Sequence, residues 1–152
     1  MGLALDEAYL GIKDGDGGPF GACIVRNGEI LAEAHNTVLK SQMATKHAEM
    51  NAIEIASRKL GSWNLQGATL FTTTEPCPMC FSAIHWAKID RVYFGTRIGD
   101  VAALGFNELM VSAVKMKEIG KSRIEIIPGF MVDECMELLY YYRDYFPRAS
   151  RY

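Results

Sequence analysis

Two cysteines three residues apart, in the run Glu75-Pro76-Cys77-Pro78-Met79-Cys80, constrain this chain more than any other feature. On one helical turn, side chains at that spacing face the same way. A helix N-terminus also stabilises thiolates through its dipole and unpaired amides. Just before the cysteines, Ala68 to Thr74 is rich in β-branched and aromatic residues and predicts a strand. The motif therefore sits where a strand hands over to a helix. A second segment, His47-Ala48-Glu49, opens another helical stretch and offers an imidazole. Zinc takes thiolate and imidazole ligands in a tetrahedral set, and catalytic sites use three protein ligands with the fourth position left to water. His47, Cys77 and Cys80 make such a set. Neither Cys23 nor Cys135 has a spacing suited to be a fourth ligand, which sets a structural site aside.

Glu49 gives the metal a chemical purpose. A carboxylate two positions from the histidine is close enough to lean over the metal. It can take a proton from water whose pKa the metal lowers toward about 7 and deliver it to a ring nitrogen and a leaving amine. That arrangement suits hydrolytic deamination.

The rest of the chain reads as one α/β domain over residues 1–152. Residues 3–13 predict an amphipathic helix ended by Asp14-Gly15-Asp16-Gly17-Gly18-Pro19. Phe20–Val25 and Glu29–Ala34 flank Asn27-Gly28, the strongest two-residue hairpin signal. Lys46–Leu60 predicts a helix buried through Met50, Ile53, Ile55, Ala56 and Leu60. Pro76 opens the cysteine helix, which runs to about Lys88, and Arg91–Gly95 is a third core strand. Residues 96–109 lack clean periodicity and read as a loop or short helical turns, Arg123–Ile127 predicts a strand, and Val132–Phe146 a last helix. The order α-β-β-α-β-α-β-(α)-β-α predicts a three-layer α/β/α fold, with one mixed five-stranded sheet carrying helices on both faces.

Charge and cysteine usage narrow the partners. A formal net charge of -2 argues against a protein whose main task is gripping a polyphosphate backbone. No apolar run is long enough to span a membrane, and the start Met1–Glu7 lacks a secretory pattern. Four cysteines without a disulfide framework point to a reducing, cytoplasmic setting.

His47-x-Glu49 followed by Pro76-Cys77-x-x-Cys80 resembles the H-x-E…P-C-x-x-C signature of the zinc nucleobase deaminases. The resemblance spans almost the whole chain and implies a cytidine deaminase-like fold with one Zn²⁺ per chain. Having histidine at position 47 resembles the branch holding guanine, cytosine and tRNA-adenosine deaminases. Gly17–Ala22 and Ala102–Glu108 resemble stretches of bacterial-type guanine deaminases.

That likeness implies guanine converted to xanthine and ammonia by zinc-activated hydroxide, with Glu49 as proton shuttle. It implies Glu108 as a second catalytic carboxylate contacting the guanine amino group. Asn36, Phe20, Ala48, Trp86 and the terminal Tyr152 would bind the purine. Asn36 would hydrogen-bond the base, Phe20 would pack on it, Trp86 would line the pocket, and Tyr152 would close it from the C-terminal tail. A homodimer is implied as well, with the segment from about 131 to 152 exchanged between copies. Other substrates stay open: tRNA adenosine, cytosine, guanosine or an aminotriazine. A catalytically silent, zinc-stapled relative is the alternative outside enzymology, and an intact Glu49 speaks against it.

Overall fold

Asn27 and Gly28 both take left-handed backbone, with φ of 52° and 79°, the conformation that a two-residue turn between twisted antiparallel strands requires. This turn joins β1 (Gly21–Arg26) to β2 (Glu29–His35). The computed structural model describes residues 1–146. Before the hairpin comes α1 (Gly2–Asp14); after it come α2 (Val38–Ser41), α3 (Ala48–Leu60), β3 (Ala68–Thr74) and α4 (Pro78–Trp86). The chain continues through β4 (Arg91–Thr96), α5 (Ile98–Ala103), α6 (Ala113–Gly120), β5 (Glu125–Pro128) and α7 (Val132–Tyr145).

The five strands form one mixed sheet in the order β2-β1-β3-β4-β5. The pairs β2–β1 and β1–β3 are antiparallel, whereas β3–β4 and β4–β5 are parallel. Register puts Ala32, Ile24, Leu70, Val92 and Ile126 in one row across all five strands. That row joins a core cluster with α3, α4 and the start of α6. Leu5, Ala8 and Ile12 of α1 and Cys135, Leu138, Leu139 and Tyr142 of α7 form a second cluster. Helices thus cover both faces, giving the three-layer α/β/α architecture.

Four elements differ from the sequence reading, among them α2 and α6, which it did not predict. The buried stripe of α3 is Ala48, Glu49, Ala52 and Ala56, while Ile55 is exposed. Alanines at a spacing of four let the helix backbone lie close on the sheet, so the larger side chains fall to its flanks. The cysteine helix begins at Pro78, not Pro76, with Cys77 as its N-cap. Proline suits the first helical position because its missing N–H would have had no partner there. The short helical turn read within residues 96–109 is α5, whose start is held by the Asp100 carboxylate accepting from Arg97 N at 2.7 Å.

Candidate active site

Cys77 and His47 are both helix N-caps with extended backbone, on α4 and α3. The two helix starts meet in space, and the residues that open them bring their donors together. His47 Nδ1 lies 3.7 Å from Cys77 Sγ and 3.6 Å from Cys80 Sγ. Bond lengths of about 2.3 Å for Zn–S and 2.0–2.1 Å for Zn–N at a tetrahedral angle require an N···S separation of about 3.6 Å. The donor set therefore fits zinc in geometry as well as in chemistry. Among the described residues these three are the one His/Cys/Asp/Glu group spaced to hold a metal ion. Cys23 and Cys135 are buried and free.

The electrostatics support thiolate ligation. Pairing with the Cys80 thiol, and then with His47, holds Cys77 down at about 4 despite burial. Cys80 is pushed up by its pairing with Cys77, by burial and by Glu49. Burial pulls His47 down, but Cys77, Glu49 and Glu108 together push it up.

Glu49 stands one residue inside α3, is 5% exposed, and places Oε2 3.5 Å from Cys80 Sγ. Burial first, and the Cys77 charge second, raise its pKa. A carboxyl group raised in this way can hold a proton as well as release one.

A cavity of about 320 Å³ opens over the donors, lined by Phe20, Val38, His47, Cys77, Met79, Phe106 and Glu108 among others. Phe20 and Phe106 meet edge to face at 5.3 Å. Beneath it lies a second space of about 30 Å³ against Glu49, Thr72, Thr74, Glu75 and Glu108. Glu108 borders both, and burial, followed by the Cys77 charge, raises its pKa.

The other expected residues are distributed unevenly. Phe20 lines both spaces. Asn36 is fully buried, with its Oδ1 accepting from Val38 N at 3.0 Å and its backbone N donating to Phe20 O at 3.0 Å. Ala48 has its side chain in the core cluster. Trp86 is 74% exposed at the far end of α4, beside Phe81, Ser82, Met116 and Gly120. It lies about 9 Å further along the helix than Cys80, so it does not line this cavity. Tyr152 falls outside the described residues. His35 is satisfied structurally, between Glu7 at 2.7 Å and Asp16 at 3.1 Å.

The family model for the cytidine and deoxycytidylate deaminase zinc-binding region matches residues 1–96, which carry all three donors and Glu49. The chain belongs to this family. A guanine deaminase of Bacillus subtilis is 42% identical to this deaminase over 130 residues, covering 85% of this chain and 81% of that one. A tRNA-specific adenosine deaminase of the same organism is 37% identical over 139 residues, covering 91% and 83%. The structure of a guanine deaminase from Nitrosomonas europaea superposes with a TM-score of 0.84 at 30% identity, over 93% of this chain and 81% of that one. The deaminase is thus a zinc enzyme of the nucleobase and nucleoside class. No described helix is long and apolar enough to cross a membrane.

Sequence reasoning missed Val38, Met79, Thr72 and Thr74 in the lining. Val38 belongs to α2, a helix of one turn that leaves no periodic signal. Thr72 and Thr74 alternate on the face of β3 that points toward Glu49, a signal that strand period alone could have supplied.

Proposed function

We propose that this deaminase hydrolyses guanine to xanthine and ammonia. The observation that carries the reading is Glu108, a half-buried carboxyl group bordering the same cavity as His47, Cys77 and the Phe20–Phe106 pair. Two aromatic rings offer a flat heterocycle its π-faces and edges, and a carboxylate on the wall accepts from an exocyclic amino group. His47, Cys77 and Cys80 would hold zinc, which when bound would supply Lewis acidity and lower the pKa of water toward about 7. Glu49 then takes the proton released on attack at C2, protonates the ring nitrogen, and passes a proton to the departing amine. Water and guanine are consumed, and xanthine and ammonia are formed. Similarity to the Bacillus guanine deaminase over most of both chains supports the same substrate.

The similarity to tRNA-specific adenosine deaminases over 91% of the chain favours a second reading, adenosine in an anticodon loop. A net charge of -2 weighs against it, because RNA-binding surfaces are basic. Release of ammonia from guanine, guanosine, cytosine, adenine and an anticodon stem-loop separates these readings. Turnover of the stem-loop alone would move the substrate to tRNA and leave the chemistry standing.

A homodimer belongs to the same proposal. Leu109, Met110 and Val111 run consecutively exposed beside the cavity mouth, at 69%, 67% and 37%, and such an apolar rim calls for a cover. Light scattering of the pure protein tests the pairing. Four cysteines without a disulfide between them fit a cytoplasmic location.

A further inference from the structure

We propose that Glu75 is a positioning residue whose single carboxylate ties down both stems of the loop that carries Phe106 and Glu108. The inference rests on the reading above that this loop meets the base, and it assigns work to a residue of the Cys77 motif that neither the metal nor the proton shuttle uses.

Glu75 is 4% exposed. Its backbone N donates to Thr96 O at 2.8 Å, which extends the β3–β4 pairing by one step past the strand end. Its side chain then turns to two other elements. Oε2 accepts from Ile98 N at 3.2 Å and Oε1 accepts from Ala113 N at 2.9 Å. Ile98 is the first residue of α5 and Ala113 the first residue of α6. The first amides of a helix have no acceptor within it, and a buried carboxylate at that end is favoured by the helix dipole. One acidic group thereby satisfies two helix starts at once. Among the described residues no cation pairs with it, so these amides are its principal counter-groups.

The consequence is geometric. Everything between the two anchored amides is α5 and the stretch from Leu104 to Ser112, in which Phe106 is 5% exposed and Glu108 borders the cavity. Both ends of this excursion return to one carboxylate, and that carboxylate is joined to Cys77 through Pro76 alone. Proline fixes its own φ and restricts the residue before it. The metal ligand and the base-facing loop are thus referenced to the same rigid point. The contact of Phe106 with Phe20 at 5.3 Å is apolar and sets the depth of the loop better than its register.

Glu75→Gln is the discriminating change, because it preserves shape but turns one accepting oxygen into an NH₂ that faces a backbone N–H. One stem is released and the loop samples states that cannot grip the base. When only a fraction of the protein is competent, apparent affinity falls by that fraction while the bound complex reacts normally. The expected result is a rise of about tenfold in KM, the scale of one lost hydrogen bond to a charged acceptor, with kcat changed less than about threefold and zinc content unchanged. Hydrogen exchange in residues 98–113 should accelerate while exchange in β3 and α4 does not. In a Glu108→Ala background the KM cost of Glu75→Gln should shrink, because a loop stripped of that contact has less to misplace.

Should the variant fail to fold, the wild-type protein still tests the claim: the amides of Ile98 and Ala113 must exchange far more slowly than those of Asn107 and Leu109. The proposal is overturned if those two amides exchange as fast as the open loop. It is equally overturned if Glu75→Gln lowers Tm without raising KM, or if its KM cost is the same with and without Glu108. If guanine proves not to be the substrate, the exchange results stand unaffected, so the two failures are distinguishable.

Discussion

Glu49 Oε2 lies 3.5 Å from Cys80 Sγ, so the proton-carrying group rests against a metal ligand without displacing one of the three donors. The two side chains come from different helices, and both are buried, Cys80 at 0% and Glu49 at 5% exposure. A carboxyl held there is screened from bulk water and reaches the reacting atoms only through the cavity. Glu49→Gln keeps size and removes proton exchange. We expect zinc to be retained at one per chain and kcat to fall by a factor of about 10²–10⁴, the usual contribution of a positioned acid–base group. Metal analysis alongside steady-state kinetics checks it; a near-normal rate would take the shuttle role away from Glu49.

Zinc removal carries a second prediction. His47, Cys77 and Cys80 link the starts of α3 and α4, and a ligand that binds only the folded state raises stability by mass action, by about 2.7 kcal/mol at a hundredfold excess over Kd. Chelation should lower Tm and abolish turnover together, and added Zn²⁺ should restore both. An unchanged Tm with lost activity would mean that the metal does not brace the two helices.

A pH effect is expected away from the metal. Asp16, with a side chain 8% exposed, accepts from Lys40 Nζ at 2.7 Å and contacts His35 Nε2 at 3.1 Å. The Lys40 hydrogen bond, with help from His35, holds its pKa below the ordinary value of 3.8 despite burial. A depressed folded-state pKa stabilises the fold above the unfolded value and loses that contribution as pH falls through the folded one. Asp16→Asn should therefore lower Tm near neutrality, and the gap to wild type should narrow progressively below pH 3.8. Thermal melts of both proteins from neutral to acid pH test it.

Gly17→Ala probes the entry to the site. A Cβ at Gly17 would stand 2.2 Å from Asn36 Oδ1 and 2.4 Å from Asn36 O, a collision with backbone that no rotamer relieves. We expect a loss of about 1–3 kcal/mol in stability from overpacking. A higher KM should accompany it, because Asn36 N anchors Phe20 O. Denaturant melts and kinetics together check both effects; a shift in stability with KM unmoved would separate Asn36 from the binding wall.

The sequence alone determined most of the elements and the metal chemistry. Asn27-Gly28 dictated its hairpin because few other residue pairs take left-handed backbone twice in succession. The ligand triad was legible because zinc's donor preferences and the three-residue spacing are local facts. The burial of α3 was not legible, since Ala48, Ala52 and Ala56 outrank Ile55 only when the distance from helix to sheet is known. Trp86 shows the same limit. Residue type marks a side chain able to bind a base, but Trp86 is 74% exposed at the end of α4. Tertiary structure decided which groups share a cavity, and it alone revealed that Glu75 reaches the starts of two helices. Spacing along a chain governs what one helix or strand can present; which separate segments meet is settled by packing of the whole sheet, and no local pattern encodes it.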